Sequence, residues 1–243
     1  MDRAFLATLL AGLLLTNAAH AETVNVAVAA NFTAAAEALA EAFKAETSNE
    51  LVLSFGATGG LYAQISQGAP FEVFLSADDT HAARAIEEGF GVAESNFTYA
   101  IGALALYSTT LDVSGGAAAL DADYNKLAIA NPDSAPYGIA AVEALKRLGK
   151  YELLAPKLVV GENITQTLQF VDTGNAELGF VAASQIVGKS SQWIVPAELH
   201  EPIVQDAVLL KTGEANPAAS EFLEYLKSDT AVAIIEAAGY TTP

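Results

Sequence analysis

Polar and apolar residues alternate from Thr23 to Ala30, with Val24, Val26 and Val28 on one face, so this segment reads as a strand. The period then changes. Phe32, Ala35, Ala36, Leu39 and Phe43 recur at helical spacing behind Asn31, which is expected to be the N-cap. Leu51 to Phe55 predicts a second strand, and Gly56-Ala57-Thr58-Gly59-Gly60 turns into a helix running to about Gln67. Phe71 to Ser76 predicts a third strand, followed by Asp78-Asp79 and a helix through Glu88. This alternation predicts βαβ units and a parallel sheet.

The pattern then restarts. Ala100 to Tyr107 is strand-like, Leu127 to Ala130 is a short strand, and Gly138 to Leu148 is a helix. Lys157 to Val160 reads as a strand, Thr165 to Asp172 as a helix and Leu178 to Ala182 as a strand. The tail from Ala218 to Ala238 predicts two helices anchored by Phe222, Leu223, Leu226, Ile234 and Ile235. Two βα clusters in 243 residues suggest two similar α/β lobes rather than one large sheet. No internal repeat at a period of about 20–50 residues is visible, which argues against a solenoid. With no low-complexity linker, the crossings between lobes should be short strands near Ala100–Ala103 and Glu201–Val204.

The first residues change the picture of where the chain works. Arg3 precedes a largely apolar run from Ala4 to Leu15, and Ala19-His20-Ala21 forms an A-x-A cleavage site. This is the pattern of a secretory signal peptide, too short to span a bilayer, so the mature chain is expected to begin near Glu22 in the periplasm. No later segment reaches about 18 uninterrupted apolar residues.

Eleven Lys and Arg stand against 29 Asp and Glu, a formal net charge of −18. So few scattered cations exclude a nucleic-acid footprint and disfavour an anionic membrane surface. The same balance weighs against any ligand site built on ionic pairing. The chain has no cysteine, which removes disulfides, thiolate metal sites and thiol nucleophiles. Once the leader is removed, His81 and His200 are the histidines, and neither has the spacing of a catalytic zinc ligand pair. No G-x-S-x-G elbow occurs, and the glycine-rich turn at Gly56–Gly60 lacks the Gly-Lys-Ser/Thr ending of a phosphate loop. Asp121-Ala122-Asp123-Tyr124-Asn125 begins like a calcium loop, but Lys126 and Pro132 occupy the positions that need Gly and Glu, so a solvated turn is expected. These features point to binding and not to catalysis.

Four turns put small polar residues where strands end and helices begin: Ala30-Asn31, Thr58-Gly59, Pro136-Tyr137-Gly138 and Glu162-Asn163-Ile164-Thr165. A helix N-terminus offers free N–H donors and about half a unit of positive charge, which suits an anion. In open α/β sheets, ligands bind beyond the carboxyl ends of the strands, where these turns lie. Each turn alone could equally be an ordinary helix cap, and periodicity does not say whether the four converge.

The segments VAVAANFTAAAEALAEAF, LSFGATGGLYAQISQGAPFEVFLSADD and NPDSAPYGIAAVEALKRLG resemble the periplasmic molybdate-binding proteins of ABC transporters, and the likeness extends over nearly the whole mature chain. It implies a type II periplasmic-binding fold: two α/β lobes joined by a two-crossing hinge, closing on a tetrahedral oxyanion. On this reading residues 1–21 are the signal peptide, 22–99 and 204–243 form the first lobe, and 100–203 form the second. The oxyanion-binding residues carried over by position are Ala30, Asn31, Thr58, Tyr137 and Ile164. Asn31 would donate through its amide NH₂, Thr58 through hydroxyl and backbone N–H, Tyr137 through backbone N–H and its phenol, and Ile164 through backbone N–H alone. A tyrosine that some members carry after the Leu-Gly-x-Val stretch is here Ala182, so Tyr137 is expected to supply a phenol from a neighbouring loop.

The resemblance further implies molybdate or tungstate as ligand, no cofactor, an ABC permease as partner, a monomer and no enzymatic activity. Molybdate and tungstate are deprotonated dianions at neutral pH, so a site of donors alone satisfies them. Phosphate keeps a proton and needs an acceptor such as a carboxylate; none is evident among the candidate donors, though Glu162 lies close in sequence to one of them. Sulfate and chromate remain as alternative ligands on the same fold. Ferric iron would want adjacent tyrosines, and the chain has no Tyr-Tyr pair.

Overall fold

The computed structural model describes residues 21–243, and the expected leader, apart from Ala21, lies outside them. Among the described residues, ten strands form two five-stranded sheets. The first contains β1 (Thr23–Ala29), β2 (Glu50–Gly56), β3 (Val73–Leu75), β4 (Phe97–Gly102) and β10 (Ile203–Leu209), in the order β2-β1-β3-β10-β4. The second contains β5 (Leu104–Tyr107), β6 (Leu127–Ala130), β7 (Leu158–Gly161), β8 (Leu178–Ala182) and β9 (Gln192–Ile194), in the order β7-β6-β8-β5-β9. The helices are α1 (Thr33–Thr47), α2 (Thr58–Ser66), α3 (Asp79–Glu87), α4 (Pro136–Arg147), α5 (Tyr151–Leu154), α6 (Ile164–Asp172), α7 (Pro217–Tyr225) and α8 (Asp229–Ala237).

The alternation in β1 has the expected consequence. Val24, Val26 and Val28 are wholly buried against Phe32, Leu39 and Phe43 of the first helical region and Phe222 of α7. Ala27 faces the other way, with Phe74 and Val208, onto Leu61, Ile65 and Ala82 of α2 and α3. The second sheet is covered likewise. Leu104, Leu127 and Phe180 pack under Ala141, Ala144 and Leu145 of α4, and Ala105, Ala128 and Val181 pack near Val171 of α6.

The structure corrects three expectations. The sheets are mixed rather than parallel: β1 runs parallel to β2 and β3, and β6 to β7 and β8, but β10 is antiparallel to β3 and β4, and β5 to β8 and β9. The antiparallel members are strands that enter a sheet from the opposite lobe or leave for it, so no βαβ crossover sets their direction. The apolar run from Ala100 to Tyr107 is two strands in different sheets, with Ala103 between them. Asn31 is not an N-cap either; it sits in a single 3₁₀ turn, Ala30–Phe32, ahead of α1, and its side chain is turned toward other elements.

The chain passes between sheets at Ala103 and again within residues 195–202. Residues 100–102 and Ile203 therefore pair in the first sheet, Ile203 with Gly102 and Val204 with Ile101. Across the seam the Gly59 N–H donates to the Ser134 carbonyl at 2.8 Å, and the Thr165 hydroxyl donates to the Ala30 carbonyl at 3.1 Å. The two lobes are closed on each other.

Candidate functional site

Four strands bring their carboxyl ends to the seam. β1 leads into the Ala30–Phe32 turn, β2 into α2 at Thr58, β6 through residues 131–135 into α4, and β7 through Glu162 and Asn163 into α6. The residues expected to bind, Ala30, Asn31, Thr58, Tyr137 and Ile164, all line one cavity between these turns. Both lobes contribute. The cavity is small, about 10 Å³, near the least space that admits one water molecule. Organic ligands occupy pockets of roughly 300–1,000 Å³, so this cavity suits a compact species.

None of its twelve lining residues is Lys, Arg, His, Asp or Glu, so whatever polarity the cavity has comes from neutral groups. Thr58 and Ile164 open α2 and α6, and Tyr137 follows Pro136 at the start of α4. Their backbone N–H groups fall in first turns, where an α-helix supplies no acceptor of its own. Three helix N-termini thus meet at one point, each with partial positive charge. Glu162 is exposed and outside the lining.

The side chains differ in what they have left to give. Thr58 is 1% exposed, and its Oγ1 accepts from the Ala77 N–H at 3.1 Å, which leaves the hydroxyl proton to be donated. Asn31 donates its Nδ2 to Gln205 Oε1 at 2.8 Å and to Tyr240 Oη at 3.0 Å. The structure therefore commits the amide expected to face a ligand to two other side chains, Gln205 on β10 and Tyr240 beyond α8. Tyr137 is buried, and desolvation raises its phenol well above the ordinary tyrosine value, so it is a neutral hydroxyl. Gly102 makes room for it: a Cβ there would lie 2.1 Å from Tyr137 Oη and 2.7 Å from Gln205 Nε2. Ala182 is buried at the end of β8 and does not line the cavity.

Sequence reasoning missed Gln205, Gly102, Tyr99 and Tyr240, which surround the Asn31 and Tyr137 side chains. A signal existed in Ile203–Leu209, where Gln205 and Asp206 interrupt an otherwise apolar strand. Larger clefts of about 220 and 260 Å³ flank the seam. Asp78, Asp79, Glu143 and Glu201 border the second, a rim that repels anions.

The family of bacterial extracellular solute-binding proteins matches this chain over residues 24–241. A molybdate-binding protein of Rhodobacter capsulatus is 50% identical over 227 residues, covering 92% of this chain and 90% of that protein. The solved periplasmic molybdate-binding protein of Azotobacter vinelandii superposes with a TM-score of 0.86 at 38% identity, over 90% of this chain and 99% of the other. A sulfate-binding protein of Mycobacterium tuberculosis superposes with a TM-score of 0.75 at 12% identity, over 91% of this chain and 87% of the other, a likeness of fold alone.

Proposed function

This chain belongs to the bacterial extracellular solute-binding proteins and stands among their molybdate-binding members, and from that membership we propose that it captures molybdate, and tungstate with it, between its lobes. The ion would be held by neutral donors, the backbone N–H groups of Asn31, Thr58, Tyr137 and Ile164 and the hydroxyls of Thr58 and Tyr137. Export by the leader places the mature, monomeric chain in the periplasm, where it delivers the ion to an ABC permease. Binding, not catalysis, is its role. The crossings at Ala103 and residues 195–202 serve as the hinge, and the ligand stabilises the closed state because only that state assembles donors from both lobes.

The observation that carries this reading is an uncharged cavity bordered by three helix N-termini from two lobes. A bare dianion finds donors there, whereas hydrogen phosphate would bring a proton to a cavity with no carboxylate to accept it. Leaving such a group unpaired costs about 1–3 kcal/mol, more when it is charged. Calorimetric titration of the mature protein with molybdate, tungstate, sulfate and phosphate is the test. Sub-micromolar binding of the first two and none of phosphate is expected; absence of molybdate binding overturns the proposal, and tighter binding of sulfate or chromate reassigns the ligand.

Thr58→Ala should weaken molybdate binding about 5- to 150-fold, the loss of one donor to a charged acceptor. Thr58→Ser keeps the hydroxyl and should restore most of it. Equal affinity in the alanine variant and the unaltered protein would show that this loop does not face the ion.

A further inference from the structure

Gln205 is wholly buried on β10, where the pairing with β4 shifts register between Gln205 and Asp206. Its Oε1 accepts from Asn31 Nδ2 at 2.8 Å and lies 3.2 Å from Tyr99 Oη, which also reaches the Ser76 carbonyl at 3.1 Å. Its Nε2 donates to Tyr137 Oη at 3.4 Å. Tyr240 closes the chain, accepting from Asn31 Nδ2 at 3.0 Å and donating to the Asn31 carbonyl at 2.7 Å. In this arrangement both Asn31 amide protons and the Tyr99 and Tyr240 phenol protons have acceptors, Gln205 Nε2 uses one of its two protons on Tyr137, and the Tyr137 hydroxyl donates to no group among the described residues.

We propose that Gln205 is a positioning residue that sets the direction of this hydrogen-bond chain, so that Tyr137 receives a proton from Gln205 and keeps its own for a dianion in the cavity. The inference rests on the oxyanion reading above. An amide is suited to the task because one end only accepts and the other only donates. A carboxylate in its place accepts at both ends. It would draw the Tyr137 proton toward itself and set a negative charge beside the ligand. A protonated carboxyl group, in contrast, has one accepting and one donating oxygen and reproduces the amide.

Glutamate at this position therefore makes the proposal readable through pH. The titratable groups facing the position are Tyr99 on β4, Tyr137 on α4 and Tyr240 beyond α8, with Asp206 beside it on β10, bound by Thr98 Oγ1 at 2.8 Å, and Asp78 ahead of α3. Burial raises the three phenols, so they stay neutral over the range tested.

The experiment titrates the mature protein and its Gln205→Glu variant with sodium molybdate between pH 6 and pH 9. The unaltered protein should change by less than about threefold, whereas Gln205→Glu should bind at least about 30-fold more weakly at the upper end than at the lower, within the ceiling of about tenfold per pH unit that linkage to one ionising carboxyl sets. A role confined to packing or to holding the hinge lowers affinity by one factor at every pH; parallel profiles overturn the inference. If the variant does not fold by circular dichroism, the pair Gln205→Met and Tyr137→Phe decides. Losing the Tyr137 hydroxyl should cost about tenfold when Gln205 directs it and no more than about twofold beside methionine. Equal costs overturn the proposal. Failure of the unaltered protein to bind molybdate overturns the oxyanion reading itself, which distinguishes that outcome from a misassigned Gln205.

Discussion

Replacing Gly138 by alanine should destabilise the protein by at least about 3 kcal/mol, the upper range for an overpacked site, and remove most of its affinity for the oxyanion. Gly138 lies in the first turn of α4, where the helix crosses the end of β6. A Cβ there would stand 2.3 Å from the Ala130 carbonyl oxygen, 2.8 Å from the Ala130 carbonyl carbon and 2.9 Å from that of Asn131. All three are backbone atoms, so no side-chain rotation relieves the clash and α4 has to lift from the strand. Lifting it drags Ala141, Ala144 and Leu145 from the second lobe's core and withdraws the Tyr137 N–H from the cavity. At about 2–4 °C per kcal/mol for a chain of this size, thermal unfolding should move down by about 6–12 °C. Gly60→Ala is the control: nothing lies within 4 Å of its added Cβ, on an exposed helical position, so it should be neutral or gain about 0.5–1 kcal/mol. Matching melting curves for Gly138→Ala and Gly60→Ala would refute the close helix–strand contact.

The contrast between those glycines marks what the sequence can disclose. Val24, Val26 and Val28 at period two, and Leu39 and Phe43 at helical period, declare β1 and α1 because one buried face suffices to write the pattern. The turns at Thr58, Tyr137 and Ile164 were legible as helix starts for a similarly local reason. Their convergence was not, because it depends on how two sheets face each other, and the proposed donors were named from family resemblance. The break at Ala103 was hidden because residues on both sides are apolar and both enter sheets; only the pairing partners change. Asn31 fails as an N-cap for a non-local reason as well. Its amide is claimed by Gln205 and Tyr240, 174 and 209 residues along the chain. A polar residue before a helical run resembles a cap whether its partner is the next turn or the far end of the molecule.

Saturating molybdate should raise the melting temperature by about 8–16 °C, and phosphate at the same concentration should raise it by several degrees less. A ligand that binds only the folded state adds about 4 kcal/mol at a thousandfold excess over its dissociation constant, which the slope of about 2–4 °C per kcal/mol converts to that shift. Phosphate separates a cavity of donors from a generally anion-attracting surface, since it shares shape and charge with the other oxyanions but carries a proton that no lining carboxylate accepts. Sulfate meets the same donors as molybdate and is distinguished by size, so its shift should fall between the two. Raising the salt concentration tests the same point independently. With a net charge of −18 and no cation in the cavity, the protein gains nothing from long-range attraction, and salt has no ion pair in the site to screen. The shift with molybdate should therefore survive high salt almost intact. A shift that collapses with ionic strength would mean that some of the chain's 11 lysines and arginines hold the ion, and that the neutral donors do not.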